Sequence, residues 1–159
     1  MATIAAEPTT DALGLSPLEQ ELLEAELADF AAALPDPAAR ARYAELSVAV
    51  AQGDIPAALL PPLETMLELM LQTQRVRRRH GAEAEGALQD VLARTPRGRA
   101  LRRGAHEVNT SLTALSGQAL RSLRFSVTPG GHRLLVTTDE CQVALTIDRA
   151  GVHLERLEL

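Results

Sequence analysis

Apolar residues recur at helical spacing through the first two thirds of the chain and at alternate positions through the last third. Ser16-Pro17-Leu18-Glu19 is a capped helix start, and Leu23, Leu27, Phe30 and Leu34 follow as one face before Pro35. Asp36-Pro37 repeats the start signal. Tyr43, Leu46 and Val50 form the next face, and Gly53 is placed to end it. Pro56 and Pro61-Pro62 bracket a short turn of helix. A long helix is expected from Pro62 to His80, apolar on most sides through Leu63, Met66, Leu67, Leu69, Met70, Leu71 and Val76. Two more are expected over 82–94 (Ala84, Leu88, Val91, Leu92) and 96–116 (Leu101, Ala105, Val108, Leu112, Leu115), the second stopped by Gly117.

After Gly117 the period becomes two. Leu123, Phe125 and Val127 alternate, then His132, Leu134 and Val136, then Cys141, Val143, Leu145 and Ile147, then Val152 and Leu154. Turn signals at 128–131, 139–140 and 148–151 set three antiparallel registers. They pair Phe125 with Leu134, Val136 with Val143, Leu134 with Leu145, Ile147 with Val152, and Leu145 with Leu154. All three put the same apolar residues on one face, and a slip of one residue in any of them breaks that agreement. The Asp139-Glu140 turn is the least conventional, having neither Gly nor Asn.

The fold class expected is therefore α+β. A bundle of about five helices (16–116) packs on a four-stranded antiparallel meander (120–159). Residues 1–15 form a loose tail, and 16–159 form a single domain. On the face away from the apolar one, Leu135, Ala144, Leu157 and Leu159 fall near one another. One reading makes them a patch for a partner or a second copy. The other has the last strand bulge near Arg156 and turn its leucines inward.

Composition changes this picture little. The 159 residues carry one cysteine, two Phe, one Tyr and no Trp, so the core is aliphatic and no internal disulfide forms. The first residues lack a basic, apolar leader pattern and no apolar run is long enough for a membrane span, so a cytoplasmic protein is expected.

Charge changes it more. All sixteen basic residues are arginine. Residues 1–70 hold two of them against twelve acids, residues 71–124 eleven against four, and residues 125–159 three against five. Arg75, Arg78 and Arg79 end one predicted helix, and Arg97, Arg99, Arg102 and Arg103 open another. The leading reading pairs them within the chain, with Glu19, Glu21, Glu24, Glu26 and Asp29 of the first helix; they are also the candidate positions for an anion or an acidic partner, since the planar guanidinium bonds carboxylates in bidentate fashion. A nucleic-acid backbone is the alternative through residues 75–103. It is weakened by the net charge of −5 and by the near absence of aromatics for stacking on bases.

Catalytic patterns are sparse. His80, His106, His132 and His153 never fall at metal-ligand spacing, and His106-Glu107 lacks the second histidine of a zinc-protease helix because Thr110 stands there. Cys141 lies on the core face and reads as a small buried hydrophobe. Thr95-Pro-Arg-Gly-Arg99 with His106 is the one place where an anion could sit at a helix start, though capping alone accounts for Thr95. No cofactor, metal or catalytic residue is expected. The function expected is a non-catalytic, protein-binding accessory, adaptor or self-assembling subunit, with a protein or a second copy as partner; after nucleic-acid binding, the last alternative is an enzyme or anion-ligand-binding protein using that helix start.

Overall fold

A computed structural model describes residues 12–158. The architecture is α+β, with the helices in the N-terminal part and a four-stranded antiparallel sheet at the C-terminus. Contacts divide the chain into two compact units, 1–96 and 97–159. The boundary falls at the start of the last helix rather than after it.

In the first unit, α1 (Pro17–Ala33) begins with the expected capping box. The Glu19 N–H donates to Ser16 Oγ at 3.4 Å, and the Ser16 N–H donates to Glu19 Oε2 at 2.8 Å. Helix α2 (Pro37–Gln52) is capped by Asp36, whose carboxylate accepts the N–H groups of Ala38 and Ala39. It ends at Gly53, whose φ of 75° is the left-handed conformation that glycine adopts without strain. A 3-10 turn (Ala57–Leu59) leads into α3 (Leu60–Gln72).

The long helix expected from Pro62 to His80 is instead two. It breaks at Thr73-Gln74, where Thr73 Oγ1 donates back to the Leu69 carbonyl at 2.8 Å and Gln74 takes a φ of 53°. A separate short helix, α4 (Arg75–His80), follows, then α5 (Ala82–Arg94). Helical periodicity runs through the break, which is why the sequence concealed it.

The core of this unit is a single aliphatic cluster that includes Leu23, Leu27, Leu46, Val50, Leu63, Met66, Leu67, Leu88 and Val91, all buried. Each such side chain contributes about 1.5–3 kcal/mol relative to exposure. Of the loose tail expected over 1–15, residues 1–11 lie outside the described residues. Leu13–Gly14 instead form a short strand, β1, paired antiparallel with β2 (Asp54–Ile55), and the Leu15 N–H donates to the Gly53 carbonyl.

The second unit is α6 (Pro96–Thr113) and the meander β3 (Leu120–Thr128), β4 (Gly131–Thr138), β5 (Gln142–Asp148) and β6 (Gly151–Glu158), ordered β3-β4-β5-β6. Every residue pairing expected from the sequence is present, including Val136 with Val143 across the unconventional turn. Pairing continues to Thr128↔Gly131 and Asp148↔Gly151, so those loops contract to two residues. Thr138 compensates for the Asp139-Glu140 turn: its Oγ1 accepts the Cys141 N–H at 3.0 Å, and its own N–H donates to the Cys141 carbonyl.

Val108 and Leu112 of α6, and Leu115 of the turn after it, pack on Val136, Cys141, Val143 and Leu145, with Leu134, Val152 and Leu154 around them. The sheet residues come from β4, β5, β6 and, at Cys141, the β4–β5 turn. The expectation that the whole apolar face is covered fails at β3.

Candidate functional site

The basic cluster of α4 is drawn inward by one carboxylate. Glu26 falls three residues after Leu23 on the buried stripe of α1, and its side chain is only 1% exposed. Arg75 Nε donates to Glu26 Oε2 at 2.7 Å, and His80 Nε2 donates to Glu26 Oε1 at 2.8 Å. Arg79 stands 3.3 Å from the same oxygen. Asp29, one turn further along α1, accepts from Arg75 at 3.0 Å and from Arg79. Burial pushes the Glu26 carboxyl up, but the bonds from Arg75 and His80 and the charges of Arg75 and Arg79 outweigh it and hold it below the ordinary glutamate value. Asp29 is lowered as well, chiefly by its hydrogen bond from Arg79. The break at Gln74 is what turns Arg75, Arg79 and His80 towards α1.

The other arginines make separate contacts or lie exposed, with Arg99, Arg102 and Arg103 at i, i+3 and i+4 on one helix. Arg77 pairs with Glu85 at 3.7 Å, and Arg78 donates to the Thr73 carbonyl. Arg94 bonds Glu19 at 2.6 Å and the Gly14 carbonyl at 2.7 Å. Arg97 donates to the Arg149 carbonyl, while Arg99, Arg102 and Arg103 are exposed on α6. Thr95 is fully buried with its hydroxyl on the Leu92 carbonyl at 2.7 Å, so it presents no open anion site.

Enzyme-like features are equally committed. Cys141 is buried in the core of the second unit. Among the described residues no group of three or more His, Cys, Asp or Glu is placed to hold a metal. A shallow hollow of about 430 Å³ beside α2 is lined by Asp36, Arg42 and Tyr43 among others. Asp36 there caps α2, and Tyr43 Oη donates to the Pro62 carbonyl at 3.2 Å. No described helix is long and apolar enough to cross a membrane.

The patch expected at Leu135, Ala144, Leu157 and Leu159 is not one surface. Ala144 faces Arg156 and Leu145 faces Leu154, so Glu155 is an extra residue and β6 bulges there. The bulge sets Leu157 opposite Val143, on the apolar face and away from Leu135 and Ala144. Ala144 is buried, Leu135 half-buried, and Leu159 lies outside the described residues. The outer face carries instead an ion pair, Arg133 to Glu155 at 2.9 Å, with Thr146 Oγ1 on the same carboxylate.

The uncommitted surface is β3. Leu123, Phe125 and Val127 are 63%, 60% and 79% exposed, with Leu120 exposed beside them. The Phe125 ring stacks on His132 at 5.2 Å between centroids. Among the described residues no strand pairs with the outer side of β3. Thr128 and Gly131 close a two-residue turn and exchange hydrogen bonds, and alternation gives the same to Ser126, Arg124 and Ser122 with Arg133, Leu135 and Thr137. The N–H and C=O groups of Leu123, Phe125 and Val127 therefore point out from the edge.

No protein-family model, curated protein or solved structure matches this chain. Its own surface is the guide to its role.

The two edges of the sheet differ. On β6 the bulge at Glu155 and the charges of Arg156 and Glu158 interrupt any regular template. On β3 the only irregularity is at Arg121, so 122–128 is a regular run with one charge, Arg124, and no proline. Alternation along the sequence assigned Leu123, Phe125 and Val127 to the core, and correctly placed them on the apolar face. The missing signal was width. A helix about 10–12 Å across cannot cover four strands spaced about 4.8 Å apart, and an end strand is the one left out.

Proposed function

We propose that this chain is a non-catalytic protein-binding subunit that takes a partner's β-strand onto the free edge of β3. One observation carries the reading: the residues with unpaired outward backbone groups, Leu123, Phe125 and Val127, also present the exposed apolar side chains. An added strand gains main-chain hydrogen bonds and apolar contact together, which is the logic of β-augmentation. An uncovered edge of this kind otherwise invites aggregation. The arginines of 75–103 support the nucleic-acid alternative less, because Arg75, Arg79 and Arg94 are matched by Glu26, Asp29 and Glu19. A cytoplasmic setting fits a chain whose one cysteine is buried and unpaired.

The test is the size of the chain in an extract of the cells that make it. The wild type is expected in a complex larger than its own 17.0 kDa. Phe125→Lys with Val127→Lys is expected to return it to monomer size with its helix content intact. A wild type that runs as a monomer both in the extract and as concentrated purified chain overturns the reading.

A further inference from the structure

Resting on that reading, we infer that the strand received by β3 is the β3 of a second copy, antiparallel, with the two-fold axis at Phe125. The regular run 122–128 has Phe125 at its centre, so only this register pairs the whole run with itself. Phe125 then faces Phe125 of the copy, and Leu123 faces Val127. These are the residues whose backbone groups point outward, so each facing pair exchanges two hydrogen bonds. All the facing side chains on the exposed apolar face are apolar. On the other face Arg124 meets Ser126 of the copy, and no like charges oppose.

The neighbouring registers are penalised. Moving the axis to Arg124 sets Arg124 directly against Arg124 in a close pair, which is destabilising. Moving it to Ser126 sets Leu123 against Pro129, which has no N–H to give. The edge is thus self-complementary in one register, as an isologous two-fold interface requires. Seven paired residues per copy make a small interface, so the dimer dissociates on dilution.

Light scattering of the purified full chain is expected to give twice 17.0 kDa at high concentration, falling to 17.0 kDa on dilution. Phe125→Lys is expected to weaken dimerisation more than roughly tenfold, since it places two ammonium groups in one facing pair. The register is read by oxidative crosslinking at exposed positions. Arg124→Cys mixed with Ser126→Cys is expected to give a covalent dimer, and neither variant alone gives one, because diagonal neighbours lie about 7–8 Å apart, at or beyond disulfide reach.

Crosslinking of Arg124→Cys alone, or of Ser126→Cys alone, overturns the register. A particle of 17.0 kDa at every concentration overturns the self-pairing. If that monomer still enters a larger complex in cell extract through β3, strand addition stands and only the second copy is excluded; if it does not, both fall.

Discussion

Gly104 lies so close to Val152 that a Cβ on it would stand 2.5 Å from the Val152 carbonyl oxygen. The obstacle is backbone, which cannot swing aside. Gly104 therefore sets how closely α6 approaches β6. Gly104→Ala is expected to destabilise the chain by about 1–3 kcal/mol through overpacking, although alanine is the better helix former. Gly86→Ala in α5, where a Cβ meets nothing within 4 Å, is expected to stabilise by about 0.5–1 kcal/mol. Denaturant unfolding of the two variants beside the wild type checks the opposite signs.

Glu26→Gln leaves Arg75, Arg79 and His80 without their shared carboxylate. A loss of about 1.5–3 kcal/mol is expected, the range for hydrogen bonds to a charged group, with the half-exposed arginines tending to the low end. The pH dependence follows from the lowered Glu26 value. Between the folded and unfolded values the unfolded chain binds more protons, so this stability is complete above about pH 4.5 and is lost as pH falls through the folded value. Chemical denaturation at pH 7 and at pH 3 is expected to show a wild-type advantage over Glu26→Gln that shrinks in acid. An advantage unchanged by pH contradicts the assignment.

Thr138→Val removes the hydroxyl that accepts the Cys141 N–H and also bonds Gln118 Oε1. The turn it braces has neither Gly nor Asn, and its other ties are the Thr138 N–H to the Cys141 carbonyl and the exposed Arg121–Asp139 ion pair. A cost of about 1–3 kcal/mol is expected for a buried donor left unpaired, and faster hydrogen exchange at the Cys141 amide. Thr138→Ser keeps the hydroxyl and is expected to recover most of the protection.

Gln74 holds a left-handed φ of 53° between α3 and α4. Gln74→Gly is expected to raise stability by roughly 1 kcal/mol, the cost of that conformation for a residue with a Cβ. Gln74→Val is expected to lower it, because a branched side chain tolerates positive φ poorly. Thermal unfolding compares the pair.

The strand registers were legible because three turns had to agree on one apolar face, and a single error would have broken all of them. Helix starts were legible because Ser16 with Glu19 and Asp36 with Pro37 act within one turn of backbone. The break at Gln74 was not legible, since the apolar spacing continues across it and the cause is distant: Glu26 lies 49 residues before Arg75. Charge sorting did point to pairing between the acidic first helix and the basic middle. It could not say which carboxylate would be buried. The outer leucine patch dissolved because one extra residue, Glu155, reverses the side of Leu157. Alternation reads which face a residue occupies, but not whether anything lies over that face, and β3 shows the difference.

The meander also orders events in time. Each strand pairs with its neighbour in sequence, so the sheet closes through short loops, the kind of contact that forms quickly. β3 leaves the ribosome before β4, β5 and β6, and its outer side is still open when the last of them has docked. On the proposed self-pairing, maturation of this chain is two-paced: a folding step independent of how much protein is present, and a later edge-sealing step whose half-time shortens as expression rises.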